Sequence, residues 1–288
     1  MRLLMFDKDG QTTLGARISD QVVDLSQAGD SIPDSIQAML EAGDSGLESV
    51  HQALDKADDL PHIALRDIRH CLPIARPGKI LCLGLNYKDH ASEGGFKELS
   101  YPSFFMRAAS SLVAHQQPII RPKVSIELDY EAELVAVVGR QGRHLVPDNA
   151  LSIIAGYSVF NDASIRQYQK LTSQWTIGKN FDATGGFGPE FVSVDELPEG
   201  ASGLKIETRL NGKVLQSSTT DLMMVDVKKA VVLLTECMTL EPGDLIVMGT
   251  PAGVGFARNP QIFMSDGDVC EIEIEKIGIL RNSVVDEM

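Results

Sequence analysis

One stretch limits this chain more than any other: Asp129-Tyr130-Glu131-Ala132-Glu133-Leu134-Val135-Ala136-Val137-Val138. Branched apolar residues end it, and polar and apolar positions alternate, so it is expected to form a β-strand spanning 128–138. Side chains alternate faces along a strand, which puts Glu131, Glu133, Val135 and Val137 on one face. Two carboxylates then lie in line with valines that belong in a core. A buried carboxylate is costly unless something pairs with it. A hard divalent cation would supply that pairing, and Mg²⁺ in particular takes few carboxylates and leaves positions for water or substrate.

The rest of the chain narrows the classes. Its 288 residues, 43% hydrophobic and 23% charged, are ordinary for a globular protein and enough for one large domain and a small one. No apolar run approaches the length of a membrane span. The opening residues Met1 to Asp7 reach charge too early for a secretory signal, so a cytoplasmic location is expected. Four scattered cysteines, Cys71, Cys82, Cys237 and Cys270, read as free buried thiols rather than zinc ligands. The net charge of −14 argues against nucleic acid as a partner.

Residues 1–71 read as a small N-terminal α/β domain, with short strands at 14–18 and 22–25 and small helices at 32–40 and 46–54. The turn Arg76-Pro77-Gly78-Lys79 precedes a continuous apolar run at 80–85. From 72 to 288 strands dominate, at 80–85, 103–106, 128–138, 155–160, 190–194, 204–210, 245–249 and 268–276. Helices are expected only after Asp162 and from Asp226 to Cys237. Strands without regular helical crossovers argue against a Rossmann or TIM plan and for a mixed α+β, mainly β architecture, a largely antiparallel β-roll or barrel.

Four further constellations carry chemistry. A helix starting at Asp162 would put Asp162, Arg166 and Gln169 on one face, a set that holds a metal and an anionic oxygen; an N-cap Asp with solvated Arg and Gln is the plainer alternative. His90 and Glu93 are three apart and touch on a helix, where the carboxylate raises the ring's basicity for water activation; a chance exposed pair is the alternative. Lys179, flanked by glycine and aromatic residues, could face a developing oxyanion. The Gly-rich turn Gly249-Thr250-Pro251-Ala252-Gly253-Val254-Gly255 offers backbone N–H groups to an anion, or is simply a tight turn.

Taken in order, these segments resemble the fumarylacetoacetate hydrolase family: Gly84-Leu85-Asn86-Tyr87 with His90-Ala91-Ser92-Glu93, then Asp129 to Leu134, Gly156-Tyr157 with Asn161-Asp162, Arg166 and Gln169, then Gln174-Trp175 with Gly178-Lys179-Asn180-Phe181-Asp182, and the 249–255 turn. The resemblance covers about residues 72 to 285. It implies the family's β-roll catalytic domain and a homodimer. It also implies Glu131, Glu133 and Asp162 as ligands of Mg²⁺, or of Mn²⁺ or Ca²⁺. His90 and Glu93 correspond to a water-activating pair on a lid, expected over 88–99 with Gly94-Gly95 as its hinge. Lys179 and Gln169 correspond to oxyanion-holding groups. Arg166, Tyr157, Thr250 and Asn86 correspond to substrate contacts. Arg107 stands where many relatives carry Lys, and as a planar fork it is expected to read a substrate carboxylate. The implied reaction is hydrolytic C–C cleavage of an acylpyruvate or related 2,4-dioxo acid, with oxaloacetate decarboxylation or a hydroxymuconate-type isomerisation as the alternative on the same enolate chemistry.

Overall fold

The computed structural model describes residues 1–93 and 101–288. Its largest sheet runs, in spatial order, through His62–Ala64, Gln21–Asp24, Gln11–Ile18, Arg2–Lys8, Gly185–Ser193, Ile154–Asp162, Ala132–Val138, Leu245–Val247, Ile80–Gly84 and Ser103–Met106. A five-stranded sheet orders Lys213–Thr219, Lys205–Leu210, Val269–Ile274, Gly278–Asp286 and Ile119–Arg121. The protein is mainly β with short helices, as expected. Its long, well-formed helices are Asp44–Leu54 and Val227–Cys237, the latter capped by the Asp226 side chain accepting from Lys229 N. Among the described residues no helix is long and apolar enough to cross a membrane.

Alternation along Ala132–Val138 builds the core on both faces of this sheet. Ala132, Leu134, Ala136 and Val138 enter one hydrophobic cluster with the five-stranded sheet and the Val227–Cys237 helix. Val135 and Val137 enter a second cluster with Phe160, Phe187, Val247 and the N-terminal residues Leu3, Met5 and Leu14. Full burial of each valine or leucine side chain is worth about 1.5–3 kcal/mol, so the strand is anchored from both sides.

Two local expectations are revised. The 128–138 strand is two: Leu128–Asp129 pairs with Ser164–Ile165, and the ladder resumes at Ala132. Tyr130 and Glu131 lie between them, where the Asp129 carboxylate accepts from Tyr130 N at 2.9 Å and Asn161 Oδ1 accepts from Glu131 N at 3.0 Å. No helix starts at Asp162, which instead ends the strand Ile154–Asp162; the helix is the single turn Arg166–Gln169. The N-terminal strand Arg2–Lys8 pairs with Gly185–Ser193, Leu3 opposite Phe191, so residues 1–71 extend the main sheet and share its core.

Candidate active site

The break at Tyr130-Glu131 has a consequence for chemistry. Glu131, Glu133 and Asp162, each at most 4% exposed, converge so that one oxygen from each lies within 4.8 Å of the others. Glu133 comes from the strand next to Asp162's, and Glu131 from the gap where Asp162 N donates to Glu131 O at 3.0 Å. The alternation that places Glu133 with Val135 and Val137 thus holds a carboxylate at the end of an apolar face.

Cations surround this cluster. Lys179 Nζ donates to Glu131 Oε2 at 2.7 Å, to Asp162 Oδ2 at 2.6 Å and to Asp162 O at 3.3 Å. An ammonium has three protons, so all of them are committed. Arg166 meets Glu131 Oε1 at 2.6 Å, Asp129 Oδ2 through Nε at 2.8 Å, and Gln169 Oε1 at 2.8 Å. Its Nη2 is buried and has no partner. Burial pushes the Glu131 carboxyl up, but the charges of Lys179 and Arg166 outweigh it and hold the group at about 2. Glu133 goes the other way: burial, then the charges of Asp162 and Glu131, push it well above the usual carboxylate range.

That asymmetry tests the site's fit to a metal. Asp129, Glu131, Glu133 and Asp162 are four carboxylates against the three cations Arg107, Arg166 and Lys179. Among the described residues Glu133 has no ion-pair partner; its hydrogen bond comes from Gly249 N at 2.6 Å. A dense, all-oxygen, buried donor set with one uncompensated carboxylate fits a hard divalent cation.

The carboxylates face a cavity of about 420 Å³, also lined by His90, Arg166, Gln169, Lys170, Lys179, Thr250 and aromatic residues. His90 Nδ1 lies 3.0 Å from Glu93 Oε1 on the helix Lys88–Glu93, so the expected contact is present. The hinge Gly94-Gly95 and the rest of the expected lid, 94–99, lie outside the described residues. Phe105 packs edge-on against Trp175, with ring centroids 5.5 Å apart, and Lys179 Nζ sits 5.2 Å from the Phe105 centroid. Gly178 is required where two short helices meet, since a Cβ there would stand 2.4 Å from Gln169 N. That contact seats Lys179 beside Gln169.

Several expected substrate contacts are elsewhere. Arg107 is 3% exposed and does not line the cavity: it pairs with Asp162 Oδ1 and donates to Ser111 Oγ at 3.1 Å and Thr184 Oγ1 at 2.9 Å. Arg107 thus holds Asp162 Oδ1 while Lys179 holds Oδ2. Asn86 spends its amide on Val225 and Met248 carbonyls at 2.8 and 2.7 Å and on Val225 N at 2.8 Å, tying loops together. Tyr157 is packed in the first hydrophobic cluster. The turn at 249–255 does not keep its N–H groups for a ligand: Gly249 N donates to Glu133, Gly253 N to Glu93 at 2.9 Å and Gly255 N to Asp129 at 2.8 Å. Gly249 has φ +87°, a conformation glycine adopts without strain, and this aims its N–H at Glu133.

Sequence reasoning missed Asp129, which is fully buried and accepts from Arg166 Nε, Gly255 N and Phe256 N. It also missed Gln216, whose Nε2 donates to Thr250 Oγ1 at 2.8 Å and fixes that hydroxyl. Asp129's position before a pair of spaced carboxylates was a usable signal; nothing local marks Gln216.

Comparison with known proteins agrees with this architecture. The family model "Fumarylacetoacetate (FAA) hydrolase C-terminal" matches residues 79–285. The chain is 35% identical over 290 residues to the mitochondrial oxaloacetate tautomerase Fahd2a of Rattus norvegicus, covering 99% of this chain and 92% of that one. A fumarylacetoacetate hydrolase structure from psychrophilic Exiguobacterium antarcticum matches over 100% of both chains, with 34% identity and a TM-score of 0.85. The maleylpyruvate hydrolase of Sphingobium sp. SYK-6, solved with manganese(II) and pyruvate, matches over 100% of both with 25% identity and a TM-score of 0.83. With the family model spanning most of the chain and a relative this similar along nearly all of it, the chain belongs to the fumarylacetoacetate hydrolase family.

Proposed function

We propose that this protein is a metal-dependent tautomerase that interconverts the keto and enol forms of a small 2-oxo diacid, oxaloacetate being the simplest. The observation that carries this reading is the full commitment of Lys179 to Glu131 and Asp162. An ammonium without a spare proton is a poor oxyanion donor for a tetrahedral intermediate, and tautomerisation forms none. The chain-long similarity to a protein named oxaloacetate tautomerase supports the same reading.

A divalent cation held by Glu131, Glu133 and Asp162, with Mg²⁺ and Mn²⁺ the best fits, would supply Lewis-acid polarisation and counter-charge for the enolate. Arg166 offers its unpartnered Nη2 to a substrate carboxylate. With Nδ1 held by Glu93, Nε2 of His90 is the nitrogen left to accept a proton from C3. The C3–H electron pair becomes the C2=C3 π bond, the C2=O π pair goes to oxygen, and that oxygen receives the proton from His90. Glu93 stabilises the imidazolium in between. The test is the ketonisation of enol-oxaloacetate followed by ultraviolet absorbance with Mg²⁺-loaded protein. Acceleration that His90→Ala removes is expected; ketonisation at the buffer rate would overturn the proposal.

A second reading, hydrolytic C–C cleavage of an acylpyruvate, is favoured by the His90–Glu93 pair, which suits water activation equally well. There the oxyanion would fall to the Gln169 amide. Pyruvate release from an acylpyruvate, measured beside enol loss and CO₂ release from oxaloacetate, separates hydrolysis, tautomerisation and decarboxylation.

A further inference from the structure

Arg166 and Lys170 share one aromatic ring. The Arg166 guanidinium carbon lies 4.5 Å from the Phe256 centroid and Lys170 Nζ 4.3 Å from it, and both side chains line the cavity. Phe256 is held in place because its N–H donates to Asp129 Oδ2 at 3.0 Å, and the same carboxylate oxygen receives Arg166 Nε. The two cations are one helical turn apart, on a frame that Asp129 fixes.

Their charges are balanced differently. Arg166 meets Asp129 and Glu131. Lys170, exposed at the cavity's edge, has no carboxylate partner among the described residues. An aromatic face offsets part of such a charge, but two neighbouring cations still repel, and a planar anion between them relieves that repulsion. The unpartnered Arg166 Nη2 independently marks a missing acceptor at this end of the cavity.

We infer that Lys170 is a specificity-determining residue: it binds the second carboxylate of the substrate and makes the site selective for dicarboxylic over monocarboxylic 2-oxo acids. The inference rests on the reading that a 2-oxo diacid binds in this cavity, and it adds the residue that reads the second carboxylate and enforces the choice. It also accounts for a lysine that has no acidic partner among the described residues of a chain of net charge −14.

The test is calorimetric binding of malate and of lactate to the Mg²⁺-loaded full chain. These probes share a 2-hydroxy acid head and differ in the distal carboxylate. Wild type should bind malate about tenfold more tightly than lactate, the scale of one charge-assisted hydrogen bond. Lys170→Ala should remove that preference, and Lys170→Arg should keep most of it. Equal affinities for malate and lactate in wild type, or an unchanged preference in Lys170→Ala, would overturn the inference. The readout needs no turnover. Selective binding without enol chemistry would sink the proposed reaction alone, and enol chemistry without the preference would sink this inference alone.

Discussion

Glu93 joins His90 to the glycine turn: both of its carboxylate oxygens lie 2.9 Å from Gly253 N, while Oε1 also meets His90 Nδ1 at 3.0 Å. The orientation of the ring and the seating of its helix on the turn therefore depend on one carboxylate. Gly253 has φ +104°, and a Cβ there would stand 2.4 Å from Leu215 O, so the turn keeps this N–H where Glu93 needs it.

Removing either partner has a graded outcome. His90→Ala should lower kcat by about 10²–10⁴, the range for a positioned general base. Glu93→Gln keeps a hydrogen-bonding shape but not the charge, and should cost less, about tenfold. Steady-state kinetics on the enol substrate checks both; a Glu93→Gln loss equal to that of His90→Ala would point to collapse of the helix rather than lost polarisation.

Among the described residues Glu133 faces Asp162 and Glu131 without an ion-paired cation of its own. Glu133→Gln should leave chelator-treated protein as stable as wild type or more so, since a repelled charge is gone. It should also abolish the rise in Tm that saturating Mg²⁺ or Mn²⁺ gives wild type, because ligand binding stabilises only a fold that binds it. Thermal melts with and without the ion measure both effects, and a retained metal-dependent rise would show that Glu133 is not a ligand.

Arg107 and Asp162 form a pair with both side chains fully buried. Arg107→Met would leave the buried Asp162 carboxylate with Lys179 as its remaining cation, and should cost about 3 kcal/mol by denaturant unfolding, the low end for a broken buried pair. Arg107→Lys should recover part of that. If Arg107 instead read substrate, Arg107→Met would raise KM and leave stability near wild type.

Two histidines outside the cavity, His70 and His115, should govern the acid limb of stability. Their rings meet edge-on with centroids 4.6 Å apart. Burial, then the charge of Arg17, holds His70 down at about 4; burial, then His70 and Arg281, holds His115 at about 3. Both values lie below the unfolded value near 6.5, so the unfolded chain binds more protons in between. Stability is therefore full above about pH 6.5 and declines as pH falls toward 4, by on the order of 3 kcal/mol for His70 alone. Urea midpoints at pH 7.5 and 5 should differ less in His70→Gln with His115→Gln than in wild type; equal slopes would exclude these rings as the cause.

Local rules made much of this protein legible. Period-two spacing put Glu133 in line with Val135 and Val137, and three-residue spacing brought His90 to Glu93, because strand and helix geometry act over a few residues. The order of motifs was enough for the resemblance and the mainly β fold. Tertiary structure decided the rest. Arg107 reaches Asp162 across 55 residues of sequence, and Arg166 reaches Asp129 across 37. Neither meeting has a local signature, since each depends on which strands become neighbours. The commitment of Lys179 to two carboxylates, the use of the glycine turn by protein carboxylates and the pairing of Arg2–Lys8 with Gly185–Ser193 have the same origin. Sequence determined which chemical groups the site contains; the fold determined which are spent on one another and which, like Arg166 Nη2, are left without a hydrogen-bond partner among the described residues.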